Sequence, residues 1–144
     1  MKQQDFSNHA RFVPAFHFLA LPILFLNFAD QIYRIVHLGF SFDTVTALLL
    51  AIALILVALY ARMFALTVQD RVIRLEMRLR LEQILSAELR PRIPQFTVNQ
   101  LVALRFASDA ELPELTRRVL EEKMDDRKAI KKLIKTWKAD YLRA

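Results

Sequence analysis

TVTALLLAIALILVALYA, residues Thr44 to Ala61, contains no ionisable side chain except Tyr60. An α-helix needs about 20 apolar residues to cross roughly 30 Å of hydrocarbon, so this run reads as a membrane span. Upstream, Phe12 to Ala29 (FVPAFHFLALPILFLNFA) is a second apolar run, interrupted by His17 and Asn27. Pro14 falls in its first turn, and Pro22 is expected to disturb it, because proline removes a ladder donor. Leu38-Gly39 stops this helix, and Ser41 or Asp43 is placed to cap the next. The pattern predicts an all-α membrane protein: a transmembrane hairpin, residues 12–66, with spans of about 12–36 and 44–66.

Charge gives the hairpin a direction. Residues 1–61 carry Lys2, Arg11 and Arg34 against Asp5, Asp30 and Asp43, while residues 62–144 carry 18 basic and 12 acidic side chains, the whole net charge of +6. Basic residues beside spans are retained on the cytoplasmic side. Arg62, Arg71, Arg74, Arg78 and Arg80 therefore place the end of span two inside, and two spans then put both termini in the cytoplasm. Residues 1–11 read as a short cytoplasmic segment. Cleavage of the first run as a signal peptide is not expected, since Ala29-Asp30-Gln31 is a poor small-residue site.

Composition excludes several kinds of chemistry. Gly39 is the sole glycine, so loops of the Walker or dinucleotide type, which need several, are ruled out. There is no cysteine, hence no disulfide, thiolate metal site or cysteine nucleophile. His17 lacks a second haem ligand at its depth, since His37 lies about 30 Å along the helix at 1.5 Å per residue. No metal or cofactor is expected, and the chain does not read as an enzyme. The acidic pairs Glu121-Glu122 and Asp125-Asp126 are explained by helix ends.

Two sets of residues in the hairpin suggest contact. Thr44, Ala47, Ala51, Leu54, Ala58, Ala61 and Ala65 follow one another at alternating spacings of three and four, a seam of mostly small residues that permits close helix packing in lipid. It serves span one within the hairpin or a second copy. Asn27, Asp30, Arg34 and His37 share a face at the outer end of span one, where polar groups are costly and often functional. Asp30 and Arg34 have the spacing of an i,i+4 ion pair.

Beyond Arg62 the helix is expected to continue into the cytoplasm as an extension, residues 67–90. It has two apolar stripes: Val68, Val72, Leu75 and Leu79 on one side, Ile73, Met77, Leu81 and Ile84 on the other. Pro91 and Pro94 read as a linker to a cytoplasmic three-helix domain, residues 95–144. There Thr97 with Gln100 and Ser108 with Glu111 have capping-box spacing, predicting helices over about 98–106 and 109–123. Asp125 or Asp126 then caps a third helix with the apolar stripe Ile130, Leu133, Ile134 and Trp137. Arg127, Lys128, Lys131, Lys132, Lys135 and Lys138 on this helix are candidate contacts to anionic lipid. Nucleic acid is not an expected partner, as no reader motif accompanies the charge.

Three stretches carry a resemblance: Asn8-His9-Ala10-Arg11-Phe12-Val13-Pro14, Phe64-Ala65-Leu66-Thr67-Val68-Gln69-Asp70-Arg71, and Leu101-Val102-Ala103-Leu104-Arg105-Phe106-Ala107-Ser108-Asp109. Through them the chain resembles a bacterial family of small two-span inner-membrane proteins of unknown function, some labelled transporter permeases. The resemblance implies a bacterial inner-membrane address and no catalytic residues. Membrane lipids and either further copies or the subunits of a larger membrane complex are the expected partners. The functional expectation is a non-enzymatic scaffold or accessory subunit, with an oligomeric transporter component as the alternative. Two spans alone are too few for the inverted repeats of a transporter protomer.

Overall fold

A computed structural model describes residues 5–6 and 12–140. Most of the amino-terminal segment, including Lys2 and Arg11, and the end of the chain from Tyr141 lie outside the described residues. The protein is all-helical. A π turn, Ala15–Ala20, leads into α1 (Leu21–Leu38), followed by α2 (Phe42–Ile84), a 3-10 helix (Arg90–Gln95), α3 (Val98–Leu104), α4 (Leu112–Glu121) and α5 (Arg127–Leu133). Two of its helices, Ala15–Leu38 and Phe42–Ile84, are long and apolar enough to cross a membrane. The described residues fall into two compact units, 12–65 in one, and Asp5, Phe6 and 66–140 in the other.

In the first unit the effect of Pro22 appears one turn earlier. The Leu21 amide bonds to the Phe16 carbonyl five residues back, so the ladder widens where the proline ring would otherwise press on the carbonyl at i−4. The turn between α1 and α2 depends on Gly39, whose φ of 80° and ψ of 179° belong to a region open essentially to glycine alone. Ser41 then caps α2. Its amide donates to Thr44 Oγ1 at 2.9 Å and the Thr44 amide donates to Ser41 Oγ at 3.2 Å, a reciprocal box that satisfies two otherwise unpaired donors.

Shielded positions recur at spacings of three and four on both helices: Leu21, Leu24, Phe28, Gln31 and Ile35 on α1, and Thr44, Ala47, Ala51, Ile55 and Ala58 on α2. On α2 the shielded face steps from Ala51 to Ile55 and from Ala58 to Arg62. Leu54, Ala61 and Ala65, three members of the small-residue seam, are exposed beside it. Helical geometry accounts for the divergence, because 3.6 residues per turn drifts about 20° per heptad from a strict seven-residue repeat.

The second unit is built around the carboxy-terminal half of α2. Ile73, Met77, Leu81 and Leu85 are buried in one core with Leu101, Leu104, Phe106, Leu112, Val119 and Ile130. The extension and the domain after it are therefore a single unit. Pro91 and Pro94, read from sequence as a linker, lie in a 3-10 helix whose Ile93 is buried, and Leu89 and Phe96 flank it in the same core. Proline punctuates the helix as expected, but the apolar residues between the prolines fold the segment back into the core.

The capping box at Thr97 and Gln100 is present, with both reciprocal bonds. Ser108 Oγ accepts from the Glu111 amide at 3.3 Å, yet α4 starts only at Leu112, with Pro113 in its first turn, where proline's missing amide costs nothing. It ends in a Schellman arrangement: the Met124 amide bonds to the Val119 carbonyl, the Lys123 amide to the Leu120 carbonyl, and Lys123 has φ 50°. Asp126 caps α5, accepting from the Lys128 and Ala129 amides.

The last helix is shorter than its apolar stripe predicts. It stops at Leu133; Ile134 is extended, the chain bends at Lys135 and Thr136, and Trp137 forms an isolated antiparallel bridge with Ala107, the Ser108 amide donating to the Thr136 carbonyl at 3.0 Å and the Lys138 amide to the Phe106 carbonyl at 2.7 Å. Ile130, Leu133, Ile134 and Trp137 nevertheless all reach the core or pack on it. Leaving the helix at Leu133 brings Trp137 against Phe106, with ring centroids 5.1 Å apart.

Candidate functional site

The polar groups of the hairpin gather at the end of α1. Asn27, Asp30, Arg34 and His37 are all exposed. No ion pair joins Asp30 to Arg34 among the described residues; Asp30 instead accepts from Gln31 Nε2 at 3.3 Å. His37 stacks on Tyr33 with centroids 3.9 Å apart, and its Nδ1 lies 3.1 Å from the Tyr33 carbonyl. The buried polar residue of this helix is Gln31, which sequence reasoning passed over; it is 6% exposed, with Oε1 unpartnered.

In the second unit, the six basic residues nominated for lipid contact do not form one helical face, because Lys135 and Lys138 follow the end of α5. Arg127 is engaged within the unit, donating from Nη2 to Asp70 at 3.0 Å and from Nε to Asn99 at 2.8 Å. Lys131 sits 5.0 Å over the Phe106 ring, and Lys132 5.9 Å over Phe6. Lys138 Nζ is 3.7 Å from Asp109. Lys128 and Lys135 extend into solvent.

A set of long-range polar bonds with no local sequence signal ties the turn after α3 to α2, the start of α3 to the loop before α5, and the carboxy-terminal segment to Glu111. Arg80 Nε donates to Asp109 Oδ1 at 2.7 Å, its Nη1 to the Arg105 carbonyl at 3.1 Å and its Nη2 to the Ala107 carbonyl at 2.7 Å. The bond from Arg80 holds the Asp109 carboxyl below the usual range, and Lys138 adds to the effect. Glu111 accepts from the Lys135 and Thr136 amides at 2.9 and 3.0 Å. Asp125 accepts from Thr97 and Asn99, and these bonds, with the nearby Arg127 charge, also lower its pKa.

Two features of α2 are not consumed by this packing. Val68, Val72, Leu75 and Leu79 are 59%, 49%, 62% and 53% exposed, on the side of the helix away from Ile73, Met77 and Leu81. Beside them Arg71 and Arg74 are exposed and Arg78 partly so. Among the described residues no carboxylate pairs with any of the three.

Among the described residues no group of three or more His, Cys, Asp or Glu is placed to hold a metal ion. The fold and these surfaces define a class: a small all-helical protein with two membrane-length apolar helices and a compact polar-faced unit. The chain belongs to the family of unknown function DUF6526, whose model matches residues 1–144. No curated protein and no solved structure matches it.

Proposed function

We propose that the protein is an integral membrane protein of the bacterial inner membrane, with α1 and the first half of α2 as a hairpin and both termini in the cytoplasm. Its role in this reading is that of a non-enzymatic scaffold or accessory subunit of a membrane assembly. The observation that carries the proposal is the exposure of the apolar helices. Only 6% of the apolar window of Ala15–Leu38 and 11% of that of Phe42–Ile84 is buried, and Phe18, Leu26 and Val57 are each about two-thirds exposed. A core helix of a soluble protein buries such side chains; these need another apolar phase, and a bilayer supplies it. The basic residues following the span support the orientation. The scaffold role rests on the abundance of packing surface beside a lack of recognisable catalytic groupings.

The test has two stages. Membranes from expressing bacteria are washed with alkaline carbonate, and protease access to the second unit is compared in intact spheroplasts and in inverted vesicles. Retention in the pellet with cleavage only in inverted vesicles is expected; release by carbonate overturns the membrane reading. Native mass spectrometry of the lipid-extracted protein then reads its companions. A bare monomer would remove the scaffold role.

A further inference from the structure

Val68, Val72, Leu75 and Leu79 are spaced four, three and four apart. With Val72 and Leu79 as heptad a positions and Val68 and Leu75 as d, Arg71 and Arg78 fall at g, and Glu76 at e. The opposite face of the same helix is closed by the core through Ile73, Met77 and Leu81, and none of the described residues of its own unit covers the exposed stripe. Lipid does not suit it, because Arg71 and Arg78 on one side and Glu76 on the other flank the stripe, and hydrocarbon excludes that density of charge. We propose that the stripe is the seam of a parallel two-stranded coiled coil with a second copy of this chain.

Three observations choose a second copy. The charges are self-complementary: in a parallel pair, g of one helix meets e of the following heptad on the other, bringing Arg71 against Glu76 of the second copy twice over. An antiparallel pair would bring g against g, arginine against arginine. Both side chains are exposed, and neither has an ion pair among the described residues. The central layer, β-branched Val72 at a and Leu75 at d, is the combination that favours two parallel strands. Finally, the register is continuous with Leu54, Ala61 and Ala65 along α2, the exposed members of the upstream seam. The membrane reading supports only the direction, since copies inserted the same way present α2 in parallel.

The chain has no cysteine, so single-cysteine variants report one position each. In native membranes, Leu75→Cys is expected to form an oxidant-dependent disulfide dimer, whereas Arg74→Cys, exposed on the same helix but at position c, is not. Equal crosslinking at both positions, or none at Leu75, overturns the seam. Arg71→Glu or Glu76→Arg alone is expected to weaken association about tenfold, by turning two attractive g–e pairs repulsive. Co-expression of the two variants restores it, because every pair across the mixed dimer is then opposite in sign. A loss that co-expression does not restore overturns the parallel arrangement. Carbonate washing of the same membranes reports separately on the membrane reading.

Discussion

Arg80 and Asp109, 29 residues apart in sequence, meet at 2.6 Å between Nη2 and Oδ1. The guanidinium also holds the carbonyls of Arg105 and Ala107, so one side chain on α2 fastens the turn between α3 and α4. The Arg80 side chain is 16% exposed and that of Asp109 60%; water screens the ion pair, and the carbonyl bonds contribute most. Arg80→Met is expected to destabilise the second unit by about 2 kcal/mol. Arg80→Lys recovers little of this, lacking the planar fork. Urea unfolding of the detergent-solubilised full chain, followed by the fluorescence of Trp137, checks both.

The lowered pKa values of Asp109 and Asp125 give stability a definite pH dependence. Each carboxyl binds its proton less readily folded than unfolded, so its contribution is complete above the ordinary carboxylate range. It disappears as pH falls through the lowered folded values. The urea midpoint should therefore stay flat from neutrality to mildly acidic pH and drop only below it. Asp109→Asn should make that drop shallower. A midpoint already falling near pH 6 would contradict the assignment.

Leu81 and Phe106 are fully buried, one on α2 and one following α3. Alanine at either position leaves a cavity in the same core and should cost about 3 to 4 kcal/mol. If residues 67–90 were a separate extension, Leu81→Ala would leave the tail's unfolding unchanged. Equal effects at both positions, measured by the same unfolding transition, are the expected outcome.

Two positive-φ positions predict opposite signs. Gly39, at φ 80° with nothing within 4 Å of an added Cβ, is constrained by its backbone alone; Gly39→Ala should destabilise the α1–α2 turn by about 1 to 3 kcal/mol. Lys123 holds φ 50° at the position where a Schellman end favours glycine. Lys123→Gly should stabilise the second unit by about 0.5 to 1 kcal/mol. Thermal or urea midpoints of the two variants check the pair.

The helices were legible wherever the signal is local. An unbroken apolar run between Thr44 and Ala61, the lone Gly39, and the Thr97 to Gln100 box each state their structure within a few residues. Both stripes of α2 after Arg62 were legible too, but which of them is covered depends on residues 20 to 60 positions away. Pro91 and Pro94 look like a linker because proline's effect is local, whereas Ile93 and Phe96 are drawn into the core by distant partners. The end of α5 is fixed by Glu111 and the Phe106 carbonyl, neither of which marks Leu133 as a stop. Among the candidate site residues, sequence found the basic positions but not which were already engaged. Arg127 has the charge pattern of a lipid ligand, and only the fold reveals Asp70 and Asn99 beside it.

The two compact units divide near Leu66, inside α2, a helix with neither glycine nor proline. A gene fragment cut at the prolines would encode a product stripped of Ile73, Met77, Leu81 and Leu85, and so without one wall of its interior. Recombination at that apparent joint would yield two incomplete pieces, and the smallest inheritable version of the second unit starts in mid-helix. The module boundary suggested by composition is thus not one at which evolution, or a cloning scheme, can exchange parts.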